Sequence, residues 1–119
     1  MIQFLMANYR DLIVFKKSDE LALQIYLTSR DFPKAEMFGI TSQIRRSSLS
    51  IATNIVEGYA RKGKKELKHF LNIAIGSHAE TEYLFGFSKR LGLHREDTSH
   101  IELLIGEVGK LLWSFNRSI

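Results

Sequence analysis

The chain contains no cysteine among its 119 residues. Without thiols it has no disulfide framework, no cysteine-ligated zinc site and no cysteine nucleophile. The absence of cysteine is typical of proteins in a reducing compartment, and we expect a cytoplasmic location. No apolar run approaches the roughly 20 residues that a membrane-spanning helix needs. We therefore expect no transmembrane segment and no membrane partner.

Proline is almost absent as well, since Pro33 is the only one. The residue before a proline is disfavoured in a helix, so a first helix should end by about residues 30–32. Asp11 is a favourable N-cap and should begin that helix. The apolar spacing predicts four helices. The first should run from Asp11 to Ser29, and the second should begin soon after Pro33 and end at Ala60. The third should run from Lys64 to Leu91, with Gly92 as its C-terminal cap, and the fourth from Glu96-Asp97 to Asn116.

The residues that are present are those of an ordinary globular domain. Apolar residues make up 45% and charged residues 25%, and the length fits one domain with its own core. We expect a single domain over residues 11–119 after a flexible leader of residues 1–10. No pattern predicts a strand, and long helices with short connections pack as antiparallel neighbours. The predicted fold is all-α, an antiparallel up-down four-helix bundle.

The predicted second helix has two contrasting faces. Its apolar face contains Ile40, Ile44, Ile51 and Ile55, flanked by Phe38, Leu49, Ala52 and Val56. Its opposite face contains Gln43, Arg46, Ser50, Thr53, Asn54 and Glu57. Serine, threonine and asparagine are weak helix formers, so a stripe of them indicates hydrogen bonding to a closely packed helix. The alternative is an ordinary exposed face.

The predicted third helix is apolar around nearly its whole circumference. Its apolar residues are Phe70, Leu71, Ile73, Ala74, Ile75, Ala79, Tyr83, Leu84, Phe85 and Phe87. A helix of this kind is buried on more than one side, whereas a lone bundle leaves each helix one wet face. The excess apolar surface favours a partner, most simply a second copy of the chain. The alternative is that several aromatic side chains are merely partly exposed.

The net charge of +4 is concentrated in one segment. Residues 61–68, hereafter the basic turn, carry five cations against the single anion Glu66: Arg61, Lys62, Lys64, Lys65 and Lys68. Cations grouped at a turn can contact RNA or DNA phosphates without reading sequence. The alternative is a solvated loop that keeps the protein soluble.

No constellation of residues predicts an enzyme. His78 and Glu82 share a helix face, but the repeated Glu-x-x-His pairs of bundle metal sites are missing, so we expect no metal and no cofactor. No serine lies on a nucleophile turn, and no phosphate-binding loop occurs. Arg45 and Arg46 lie mid-helix near apolar positions, and we expect them to pair with acids such as Glu57 or Glu80.

Several motifs resemble one family. They are Gln43-Ile44-Arg45-Arg46-Ser47-Ser48-Leu49-Ser50-Ile51 with Asn54-Ile55-Val56-Glu57-Gly58, Asp11-Leu12-Ile13-Val14-Phe15, Phe32-Pro33 with Glu36, and Phe70-Leu71-Asn72-Ile73-Ala74 with Gly76-Ser77 and Glu80. Together they resemble the bacterial four-helix-bundle proteins, also called 23S rRNA intervening-sequence proteins. The family often has proline where this chain has Ala52, which should leave the second helix straighter.

The resemblance implies a homopentamer of bundles without an established activity. It also implies kinship with the accessory protein of diversity-generating retroelements, a basic pentameric barrel that contacts a reverse transcriptase and nucleic acid. A nucleic-acid role is carried over only to the cations of the basic turn. The motifs and the polar stripe together mark candidate structural or interface residues, namely Gln43, Arg45, Arg46, Ser50, Asn54, Glu57, Ser77 and Glu80. The alternative function is a protein-interaction or scaffold module with no nucleic-acid role.

Overall fold

The computed structural model describes residues 8–119, so residues 1–7 of the predicted leader lie outside the described part. Four α-helices form the fold: α1 (Ile13–Thr28), α2 (Ser42–Ala60), α3 (Lys64–Arg90) and α4 (Ser99–Arg117). No strand occurs within residues 8–119. Each helix packs against the next, and α1 packs against α4, which closes the ring of helices. The predicted all-α bundle is confirmed.

Hydrogen bonds between α2 and α3 show that these two helices run antiparallel. Ser50 on α2 meets Ser77 on α3, while Ser47, earlier on α2, meets Thr81, later on α3. The core lies between the four helices and consists of Leu12, Val14, Leu21, Ile25, Ile44, Ile51, Ile55, Leu71, Ala74, Leu84, Phe85, Ile101, Leu104, Ile105, Val108 and Leu112. Within the described residues, no helix is long and apolar enough to cross a membrane.

The start of α1 differs from the prediction. Asp11 is not its N-cap, because Tyr9–Asp11 form a separate 3₁₀ turn in which the Asn8 side chain accepts a hydrogen bond from the Arg10 amide. Leu12 is the N-cap of α1, in an extended conformation without a side-chain cap. Its side chain is buried in the core, so packing of Leu12 overrides the capping preference of Asp11.

The start of α2 also differs from the prediction. Pro33 is followed by a 3₁₀ turn (Lys34–Glu36) and an irregular turn (Met37–Thr41). Gly39 has a non-helical backbone there, and the regular helix begins only at Ser42. The bend leaves Phe38 96% exposed, so its predicted place beside the core was wrong, as was that of Leu49. The helix runs without interruption through Ala52.

Glycines fix the two ends of α3. Gly92 follows its last turn at φ +70°, and the amides of Gly92 and Leu93 bond back to the carbonyls of Lys89 and Ser88. This is the C-terminal glycine cap that the sequence predicted. At the other end Gly63 has φ +133°, a conformation that side chains rarely adopt, and it turns the chain between α2 and α3.

Candidate functional site

The polar stripe of α2 lies along α3. The Ser50 and Ser77 hydroxyls are 2.9 Å apart, and the Asn54 amide donates to the Ser50 hydroxyl. Beneath them the buried Thr81 hydroxyl donates to the Ser47 hydroxyl at 2.8 Å. Polar side chains therefore join α2 to α3, whereas Thr53, on the same stripe, is exposed.

An open cleft of about 460 Å³ lies above these contacts. It is lined by Gln43, Arg46, Ser47, Ser50, Ser77 and Glu80. Five of the eight candidate interface residues thus meet in one place. Within the cleft the Ser50 and Ser77 hydroxyls bond to each other, and no histidine is among the lining residues.

The two adjacent arginines do different things. The Arg45 guanidinium donates through Nε to the Ser29 hydroxyl at 2.7 Å and lies over the Tyr26 ring, so it ties α2 to α1. Arg46 is exposed at the cleft, and it forms no ion pair with Glu57 or Glu80. The expected pairing of these arginines with those acids was wrong, because Arg45 is engaged by Ser29 and Tyr26 and Glu57 forms its ion pair with Arg61.

Two cations of the basic turn are engaged within the subunit. Arg61 forms ion pairs with Glu57 at 3.0 Å and Glu66 at 3.9 Å, and its guanidinium lies over the Phe70 ring. The Lys68 ammonium donates to the main-chain carbonyl of Asn116 at the end of α4, at 3.3 Å. These contacts restrain both side chains, and the two carboxylates partly offset the charge of Arg61.

The other three cations of the basic turn remain free. Lys62, Lys64 and Lys65 are exposed, and none forms an ion pair within residues 8–119. Lys64 and Lys65 form the first turn of α3, where the helix dipole adds further positive potential. Three exposed positive charges without an ion-pair partner in the described residues therefore lie together at this end of the bundle.

His78, which shares a helix face with Glu82, has a structural role. Nε2 of His78 lies 2.7 Å from the Ile105 carbonyl of α4, and the ring lies against Gly109, where a Cβ would come within 2.8 Å. Within the described residues no group of three His, Asp or Glu side chains could hold a metal ion. His78 therefore joins α3 to α4.

His94 is an anchor that the sequence did not indicate. Its Nε2 lies 2.6 Å from the Ser88 hydroxyl and its Nδ1 lies 3.3 Å from the Thr28 hydroxyl. The ring also packs against Phe32 and Phe85. Burial, and then the charge of a neighbouring lysine, lowers the pKa of His94 below its ordinary value. The imidazole joins the α3–α4 connection to α1, a contact between residues distant in sequence.

Comparison with known proteins adds a family and a solved structure. The family model described as 23S rRNA-intervening sequence protein matches residues 10–114. A crystal structure of an S23 ribosomal protein family member of unknown function, from Bacteroides thetaiotaomicron VPI-5482, is 32% identical and superposes with a TM-score of 0.77. The match covers 88% of this chain and 96% of that one. No functionally curated protein matches the chain.

Proposed function

This chain belongs to the 23S rRNA-intervening sequence protein family, and we propose that it is a non-enzymatic homo-oligomer that binds RNA or DNA through the basic turn. The observation that carries the proposal is the group of three exposed lysines, Lys62, Lys64 and Lys65, at one end of the bundle. None of them has an anionic partner within residues 8–119. The phosphates of RNA or DNA would supply negative charge to these lysines, and binding through phosphates has no sequence preference.

The oligomeric part of the proposal is supported by exposed apolar side chains. Ile73, Tyr83 and Phe87 of α3 are all exposed, and so are Leu103 and Trp113 of α4. Exposed apolar patches of this kind are typical of surfaces that meet another protein. The family resemblance supports five copies, which would bring five basic turns to one assembly. Weak phosphate contacts multiplied in this way give firm binding.

A charge-reversal experiment tests the nucleic-acid role. The variant Lys62→Glu/Lys64→Glu/Lys65→Glu and the wild type are titrated with labelled single-stranded and duplex nucleic acid at several salt concentrations. We expect wild-type binding that weakens steeply with salt, and a variant slope of log K against log salt that is shallower by about 1 for each lysine on a phosphate.

The matched control carries the same charge change at the opposite end of the bundle. Arg30, Lys34 and Arg95 are also exposed, and their triple change to glutamate should leave the affinity nearly unaltered. Equal losses in both triple variants would reduce the effect to net charge and contradict a specific role of the basic turn. A wild type that binds nothing at low salt would contradict the nucleic-acid role entirely.

The exposed apolar side chains also favour a second candidate function, a protein-interaction or scaffold module with no nucleic-acid role. That function predicts a protein partner whose association survives nuclease treatment and high salt, because apolar burial is insensitive to both. Co-purification before and after nuclease treatment separates the two functions. Loss of the partner with the nucleic acid would favour the first.

A further inference from the structure

The exposed face of α3 has the spacing of a helix–helix seam. Six exposed residues recur at alternating intervals of four and three and form what we call the α3 outer stripe: His69, Ile73, Gly76, Glu80, Tyr83 and Phe87. This spacing keeps side chains on one line along a helix that packs against another. The stripe lies outside the core, and the exposed fractions of Ile73 and Tyr83 are 41% and 62%.

The exposed face of α4 has the same spacing. The α4 outer stripe consists of Ser99, Leu103, Gly106, Lys110, Trp113 and Arg117, all exposed. Leu103 is 59% exposed and Trp113 is 61% exposed. The two stripes are therefore equal in length, about 27 Å at the helical rise of 1.5 Å per residue.

The two stripes complement each other when they are aligned antiparallel. Ile73 then faces Trp113, and Tyr83 faces Leu103, so four of the five large apolar side chains of the two stripes pair with one another, and the fifth, Phe87, faces Ser99. Gly76 faces Lys110 on one side of the centre. At the corresponding position on the other side of the centre, Glu80 of α3 faces Gly106 of α4.

Nothing within the subunit requires glycine at position 76 or at position 106. A Cβ added at Gly76 or at Gly106 would meet no atom within 4 Å, although glycine destabilises a helix interior relative to alanine. In the antiparallel alignment each glycine leaves room for the long side chain opposite, Lys110 or Glu80. Neither of these two ions has an ion-pair partner within residues 8–119, and the alignment makes them neighbours of opposite charge.

We propose that the α3 outer stripe of one copy packs antiparallel against the α4 outer stripe of the next copy. The inference rests on the proposed homo-oligomer and names the surfaces that build it. Because α3 and α4 already run antiparallel within a subunit, an antiparallel contact between copies keeps every subunit pointing the same way. A head-to-tail contact between two different faces generates a closed ring when the rotation closes. Nucleic acid does not fit the α3 outer stripe, because Glu80 lies at its centre.

The natural absence of cysteine makes a direct test straightforward. Tyr83→Cys and Leu103→Cys are placed on two differently tagged copies, which are co-expressed and oxidised. We expect a disulfide-linked dimer that contains one copy of each tag. The matched control pairs Tyr83→Cys with Leu23→Cys, whose position on α1 is similarly exposed at 53%, and it should give no link. In the doubly substituted chain, a denaturing gel should show a ladder that ends at the subunit number.

Each other outcome overturns a defined part of the proposal. Linkage of Ile73→Cys with Tyr83→Cys, but not of Tyr83→Cys with Leu103→Cys, would mean that two α3 stripes pair about a two-fold axis. An oligomer by light scattering without the expected link would refute this contact and leave the proposed assembly intact. A wild-type monomer would refute both. As an independent measurement, Trp113→Lys should reduce the subunit number and Leu23→Lys should not.

Discussion

The close approach of α2 and α3 beside the basic turn depends on Gly58. A Cβ added at Gly58 would lie 2.9 Å from the Cβ of Phe70 and 3.2 Å from Cδ1 of Leu67. The Phe70 Cβ is attached directly to the backbone of α3, so rotating a side chain cannot relieve the contact. In Gly58→Ala the two helices must therefore move apart by about half an ångström or more, which loosens the packing around them.

Two opposing effects set the size of the change. Forcing an additional methyl group into a packed site costs about 1–3 kcal/mol, while alanine gains about 1 kcal/mol over glycine in a helix. The difference is a net loss of up to about 2 kcal/mol in the free energy of unfolding. For a domain of this size, 1 kcal/mol corresponds to about 4 °C, so the melting temperature should fall by up to about 8 °C.

Thermal unfolding followed by circular dichroism at a fixed protein concentration measures this change. The matched control is Gly86→Ala, also within a helix, where an added Cβ meets no atom within 4 Å. The control should raise the melting temperature by up to about 4 °C, because only the helix-propensity gain remains. A Gly58→Ala variant as stable as Gly86→Ala would show that the α2–α3 contact yields freely, and the steric reasoning would be wrong.

Three further perturbations test other contacts. Gly109→Ala should be less stable than the Gly86→Ala control by about 1–3 kcal/mol, because the new Cβ would meet the His78 ring at 2.8 Å; chemical denaturation measures the difference, and equal stability of the two variants would contradict it. Thr81→Val removes a buried hydroxyl that joins α3 to α2 and should cost about 1–2 kcal/mol by the same assay, with a neutral result counting against that bond. Burial lowers the pKa of His94 below 6.5, so the folded state binds fewer protons than the unfolded one. Stability should then be full above about pH 6.5 and decline as the pH falls toward the lower folded pKa; a His94→Gln variant with the same pH profile in urea denaturation would refute this assignment.

The sequence predicted the helices well where local signals act alone. Gly92 ends α3 as expected, since a left-handed cap depends on one residue and its immediate neighbours. It predicted the first turns of α1 and α2 poorly, because tertiary packing decides them. The buried Leu12 replaces Asp11 as the N-cap of α1, and the bend at Gly39 delays the start of α2 and leaves Phe38 exposed.

In the candidate site, too, the sequence predicted the local features and missed the contacts between distant residues. Charge spacing located the basic turn, and the pair between Glu57 and Arg61 lies at the four-residue interval that helical periodicity would have revealed. No sequence pattern could show that Lys68 bonds to the end of α4, or that Arg45 reaches Ser29, the residue that follows α1. Those contacts join residues that only the folded bundle brings together, so counting charges alone overstated how many cations are free.

The location of Lys62, Lys64 and Lys65 at one end of an elongated bundle has a consequence for stoichiometry. In a ring whose subunits all point the same way, these lysines would form one circular track on a single rim, whereas the exposed cations of the other rim, Arg30, Lys34 and Arg95, lie beside the acids Asp31, Glu96 and Asp97. A long strand that follows the track would occupy every subunit at once and exclude a second strand. Short oligonucleotides would instead fill the subunits one by one. The molar ratio at saturation should therefore depend on the length of the strand, and the two rims would remain open to different neighbours.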